Sequence, residues 1–128
     1  MSLVLVDSSV WINYFRGSKN IDYDFFNEII DNNQLCINDL ILSELIPSLM
    51  HNKQNEVIDV LKSVRNIPLS INWDQVAEFQ YLNIKNGINN VGIPDIIIMQ
   101  NVIDNDLSLF TNDKHFHIMS KLFKFKII

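Results

Sequence analysis

Four acidic residues occupy places where an α/β chain can do chemistry. Asp7 follows the apolar run Leu3-Val4-Leu5-Val6, and Glu44 lies one turn into the segment after Leu35-Cys36-Ile37. Asp95 closes Gly92-Ile93-Pro94-Asp95, and Asp113 follows the run Leu107 to Thr111. Singly, each has an ordinary structural reading, because Asp caps helices and Glu is a good helix former. Gathered within a few ångströms they would repel and raise one another's pKa values, which is unfavourable unless a cation compensates. An all-oxygen donor set favours a hard ion, Mg²⁺ or Mn²⁺, over zinc, which takes His and Cys. Such an ion keeps several waters and can activate one for attack on a phosphodiester.

For the four acids to meet, the chain must bring them to one end of a sheet. Four apolar residues are too few for a helix, so Leu3 to Val6 reads as a buried strand ending at Asp7. Ser8 or Ser9 suits the cap of a following helix whose Val10, Trp11, Tyr14 and Phe15 share a face, with Gly17 as its stop. A second helix is expected from about Asp22 to Asn32, then a short second strand, Leu35 to Ile37. Asn38 or Asp39 caps the helix that carries Glu44. Pro47 cannot donate to the carbonyl of Ser43, which predicts a kink or a new turn there.

Further on, a helix is expected from about Asn55 to Val64, and a weak third strand over Ile67 to Ile71, interrupted by Pro68. A long helix runs from Trp73 to Asn86, capped by Asn72 and stopped by Gly87, with Val76, Phe79, Tyr81 and Leu82 on its buried side. Pro94 suits the first helical position and Asp95 the first turn. Ile96-Ile97-Ile98-Met99 make that helix apolar nearly all round, hence buried. Leu107 to Thr111 is a strand, followed by a turn of helix near His115 to Ser120 and a final strand, Phe125 to Ile128. The alternation predicts an α/β sandwich with a short, mainly parallel sheet flanked by helices. Open sheets of this kind bind ligands beyond the carboxyl ends of their strands, where the acids fall. The long interval between the second and third strands leaves room for a helical hairpin.

A chain of 128 residues, 48% apolar and 10% aromatic, can build one substantial core, so a single domain over 1–128 is expected. No window approaches the roughly 18 apolar residues of a membrane span, and the N-terminus lacks the basic region of a signal peptide, which points to a cytoplasmic protein. The lone Cys36 reads as a small buried residue. A net charge of −5 argues against a nucleic-acid binder built on a basic stripe, yet two divalent ions held by the acids would bring it to −1 and draw phosphates in. Three glycines, at 17, 87 and 92, exclude a G-x-G-x-x-G motif or a P-loop. A response-regulator receiver is disfavoured because Asp7 has no acidic neighbour and the Ile67 to Ile71 strand ends without an Asp.

Taken together, Val6-Asp7-Ser8-Ser9-Val10-Trp11-Ile12, Ser43-Glu44-Leu45, Gly92-Ile93-Pro94-Asp95 and Leu109-Phe110-Thr111-Asn112-Asp113-Lys114-His115-Phe116 resemble the PIN domain, specifically VapC-type toxins of toxin–antitoxin pairs. The resemblance runs the length of the chain and in order. It implies a three-layer sandwich and an Mg²⁺- or Mn²⁺-dependent endoribonuclease, with Asp7, Glu44, Asp95 and Asp113 as the catalytic, metal-binding acids and Ser9 and Thr111 as supporting hydroxyls. It further implies structured RNA such as tRNA or rRNA as substrate, a homodimer, and a cognate antitoxin whose C-terminal segment enters the active-site groove. Two departures are visible: where the family usually carries small residues after the third acid, this chain has Ile98-Met99-Gln100, and Pro94 beside that acid constrains its backbone.

The rival reading is a PIN-like domain that binds RNA or a protein without cutting, which predicts a missing acid; all four are present. Arg16 and Lys114, and also Lys19 and Lys53, lie near strand ends or helix termini where they can meet phosphates, with ordinary solvated charge as the plainer account. His51, His115 and His117 read as surface residues or RNA contacts rather than ligands, since His115 and His117 do not share a helix face.

Overall fold

The computed structural model describes residues 2–128. Its centre is β1 (Val4–Val6), three residues buried on both sides. Parallel strands flank it: β2 (Leu35–Ile37) pairs through Val4 with Leu35 and Leu5 with Cys36, and β4 (Ser108–Phe110) through Val4 with Ser108 and Val6 with Phe110. Outside these lie β3 (Arg65–Asn66) and β5 (Lys126–Ile127), giving the order β3-β2-β1-β4-β5, parallel throughout. Parallel neighbours need crossovers, and the seven helices among the described residues supply them on the faces of the sheet. The three inner strands, β1, β2 and β4, are mostly apolar because both faces of the sheet are covered there.

The helices are α1 (Ser8–Phe15), α2 (Tyr23–Asp31), α3 (Asp39–His51), α4 (Asn55–Ser63), α5 (Trp73–Lys85), α6 (Ile93–Asp104) and α7 (Lys114–Phe123). No helix among the described residues is long and apolar enough to cross a membrane. α3 and α4 pack on each other as the expected hairpin between β2 and β3. α6 is the most buried: seven consecutive residues, Ile96 to Val102, are shielded from solvent. The bulky Ile98, Met99 and Gln100 are thus accommodated inside the core. Gln100 is fixed by the loop before α5, its Nε2 donating to the Asn72 carbonyl and to Gln75 Oε1, its Oε1 accepting from the Asn72 N–H.

The structure departs from the sequence expectations at five places. The third strand is Arg65–Asn66, two exposed residues paired with Cys36 and Ile37, and not Ile67 to Ile71. Ile67 donates one further bond to the Ile37 carbonyl, after which Pro68 has no N–H to continue the ladder. No new turn begins at Pro47, the second of the two expected outcomes; α3 runs on to His51 despite the lost bond. The segment after Asp113 forms ten residues of helix rather than one turn, because Phe116 and Met119 anchor it in the core. Tyr81 is exposed, and the inner side of α5 is completed instead by Asn83. The cap of α1 is Asp7 itself, not Ser8 or Ser9. At α3 the choice between two caps falls to Asn38, and Gly17 and Gly87 take the positive φ that follows a helix end. Cys36 is fully buried, and burial pushes its thiol up to about 12, so it is inert packing.

Candidate active site

Asp7 is built first, because the sheet makes it. Its backbone N–H continues the strand ladder to the Phe110 carbonyl at 2.9 Å, and its side chain then caps α1, Oδ1 accepting the Ser8 N–H at 2.8 Å. Oδ2 accepts two hydroxyls, Ser9 Oγ at 3.0 Å and Thr111 Oγ1 at 2.8 Å. Each hydroxyl also accepts a backbone N–H from the loop after β4: Asn112 N donates to Ser9 and Asp113 N to Thr111. The two middle strand ends are therefore stitched together through the carboxylate of Asp7. Burial raises its pKa, the three hydrogen bonds oppose that rise, and the charge of Asp113 adds to it.

The other three acids arrive on separate elements. Glu44 lies on α3 behind the Asn38 cap, in which Asn38 Oδ1 accepts the Ile41 N–H. Burial of its carboxyl, followed by the charges of Asp7 and Asp95, pushes it up to about 7, against the Ser8 hydroxyl alongside. Asp95 sits in the first turn of α6, whose chain direction returns it to the carboxyl edge of the sheet. It is pushed up to about 6 by desolvation and by Asp113 and Asp7, with His115 acting the other way. Asp113 caps α7 by accepting the His115 N–H at 2.9 Å, and its Oδ1 lies 3.2 Å from His115 Nδ1. Glu44 thus feels Asp7 and Asp95, Asp95 feels Asp113 and Asp7, and Asp7 feels Asp113, so the four side chains contribute to one electrostatic field.

That field lacks a fixed counterion. Among the described residues no lysine or arginine pairs with any of the four acids; the two ion pairs are His115–Asp113 and Lys126–Asp106. Nor do any three of the side chains close into a ready-made coordination shell. An all-protein cage is what zinc or calcium asks for, whereas Mg²⁺ keeps several waters and binds through one or two carboxylates plus the substrate's phosphates. The hard, oxygen-only, uncompensated donor set fits an ion of that kind.

Ser9, Thr111 and the four acids of the sequence reading converge here. Arg16, the C-cap of α1, shares the wall of a cavity with Glu44, and Lys114 is exposed beside Asp113. Lys19 and Lys53 are exposed loop residues. His115, which in sequence reads as a surface residue or an RNA contact rather than a ligand, is half-buried against Asp113 and lies in the site. Its position in the first turn of a helix capped by that acid was the available signal.

The sequence profile of the PIN domain matches residues 4–122. The chain belongs to the PIN domain family. No curated protein sequence matches this PIN domain. Solved structures resemble it in fold: VapBC2 from Rickettsia felis bound to a DNA fragment from its promoter has a TM-score of 0.76 at 18% identity, covering 98% of this chain and 97% of that one. DNA-bound VapBC from Salmonella typhimurium has a TM-score of 0.72 at 14% identity, covering 100% and 98%. A Pyrobaculum aerophilum protein follows at 0.58 and 14%, covering 89% and 82%.

Proposed function

We propose that this PIN domain is a metal-dependent endoribonuclease acting as the toxin of a toxin–antitoxin pair, with structured RNA such as tRNA or rRNA as substrate. The observation that carries the reading is the convergence of four carboxylates from four separate elements on the carboxyl edge of a parallel sheet, with no lysine or arginine among the described residues paired to them. Asp7, Glu44, Asp95 and Asp113 would hold Mg²⁺ or Mn²⁺. When bound, the ion supplies positive charge for the phosphodiester and acidifies water. Ser9 and Thr111 lock the Asp7 carboxylate in one orientation, and their bonds to Asn112 and Asp113 hold the fourth acid's loop beside the first. Arg16 and Lys114 offer exposed positive charge to phosphates flanking the scissile one.

The toxin part of the reading is supported by the motifs shared with VapC-type proteins and by two fold neighbours that are VapBC assemblies. With it come a cognate antitoxin and a homodimer, which light scattering on the purified chain measures directly. The enzymatic part is tested by incubating the protein with total RNA and with tRNA, in Mn²⁺, in Mg²⁺ and in EDTA, beside Asp7→Asn. Discrete cleavage that needs both metal and Asp7 supports it. A folded protein that binds Mn²⁺ yet cuts neither preparation would sink the general nuclease reading.

A further inference from the structure

A cavity of about 450 Å³ opens between α1, α3 and the start of α4, and Glu44 forms part of its wall. Of the four acids Glu44 alone lines it, and its size lies in the range of sites that take small organic groups, roughly 300–1,000 Å³. On one side stands Phe15, whose ring is partly exposed and is held by stacking on Trp11 at 5.7 Å between centroids. Beside it is Arg16; opposite are Ser48, Asn52 and Gln54, from the end of α3 and the cap position of α4. Among the described residues none of these four polar side chains hydrogen-bonds to the rest of the chain. Two free amides, a hydroxyl, a guanidinium and an anchored aromatic ring therefore rim a hollow beside Glu44 whose remaining wall, Ile12, Leu45, Leu49 and Val57, is apolar and suits the flat face of a ring.

We infer that this cavity takes one unpaired nucleobase of a single-stranded RNA segment, next to the phosphate that faces the acids. The inference rests on the nuclease reading for its orientation. Its chemistry is that of single-strand recognition: the base stacks on Phe15, Asn52 and Gln54 meet its edge with both donors and acceptors, and Arg16 meets a backbone phosphate. Amides suit this task because each presents a donor and an acceptor side by side, the pattern of a base edge. A base drawn out of a loop and seated here gives a chain of net charge −5 a means of holding RNA that does not depend on a basic stripe.

The test uses a single-stranded RNA hexamer containing 2-aminopurine, titrated into the full chain in EDTA and read by fluorescence quenching, so that no cleavage is needed. Phe15→Leu and the double change Asn52→Ala with Gln54→Ala each weaken binding about tenfold, while Trp73→Leu, an exposed aromatic outside the cavity, leaves it unchanged. Thermal melts establish that the variants are folded, and the double change guards against a packing loss in Phe15→Leu. Failure of the wild type to bind the hexamer, or equal affinity in all forms, overturns the inference and leaves the cavity to a polypeptide. Binding that weakens as expected in a chain that cuts nothing in Mn²⁺ upholds the base pocket and sinks the nuclease reading.

Discussion

The carboxylate of Asp7 is the residue on which the site turns, because it serves three masters: strand end, helix cap and acid. Thr111 is its closest side-chain donor and is itself nearly inaccessible. Thr111→Val keeps the shape and deletes the hydroxyl, removing a bond to Asp7 and leaving the Asp113 N–H without its acceptor. A loss of about 1–3 kcal/mol in urea unfolding is expected. Since that hydroxyl lowers the Asp7 pKa, its removal moves the acid limb of Mn²⁺ binding to higher pH. Glu44 gives a pH signature of another kind. Its folded pKa, about 7, lies above the unfolded value, so its contribution to stability is present at acid pH and is lost as pH rises through neutrality. In EDTA the melting temperature should therefore fall between about pH 5 and pH 8, and fall less in Glu44→Gln. Parallel curves would place Glu44 outside the shared field. The places of Asp7, Asp95 and Asp113 were legible in the sequence because each follows or opens an apolar run, and that of Glu44 because it lies one turn into the helix after β2; the partnership of His115 with Asp113 was not, because it depends on side-chain direction in the first turn of α7.

At the level of elements, two acid-bearing helices are tied by amides. Asn38, fully buried, caps α3 and donates from Nδ2 to Asn101 Oδ1 on α6 at 3.0 Å; Asn101 Nδ2 donates to the Pro68 carbonyl. Asn101→Leu strands a buried donor and should cost about 2–3 kcal/mol in chemical denaturation. Pro47→Ala should act in the opposite direction, raising stability by about 1–3 kcal/mol, since it restores an N–H to the interior of α3. Strands and helices with an apolar signature were readable: β2 spans the expected Leu35–Ile37, and α6 opens at Ile93 and Pro94, where the sequence placed its start. β3 was not, because its two residues, Arg65 and Asn66, are paired through backbone alone and expose their side chains. The apolar stretch just after them, Ile67 to Ile71, drew the expectation instead. Tyr81 misled for a related reason: helical spacing cannot tell an inner aromatic from one left on the surface.

For the molecule as a whole, the core holds together a set of like charges at one edge, and the fold stands in spite of that edge. An ion that binds only the folded form adds RT ln(1 + [L]/Kd), about 2.7 kcal/mol at a hundred times Kd. Millimolar Mn²⁺ should thus raise the melting temperature of the wild type clearly and that of Asp95→Asn much less; equal shifts would remove Asp95 from the ion's surroundings.

The sheet carries one more consequence. Its two outer strands, β3 and β5, are two residues long. A visiting polypeptide finds almost no free ladder to extend, so recognition by adding a strand is closed to it. The same brevity protects the fold from edge-to-edge stacking with its own copies, and it leaves the helical faces and the hollows between them as the places where this protein can be gripped.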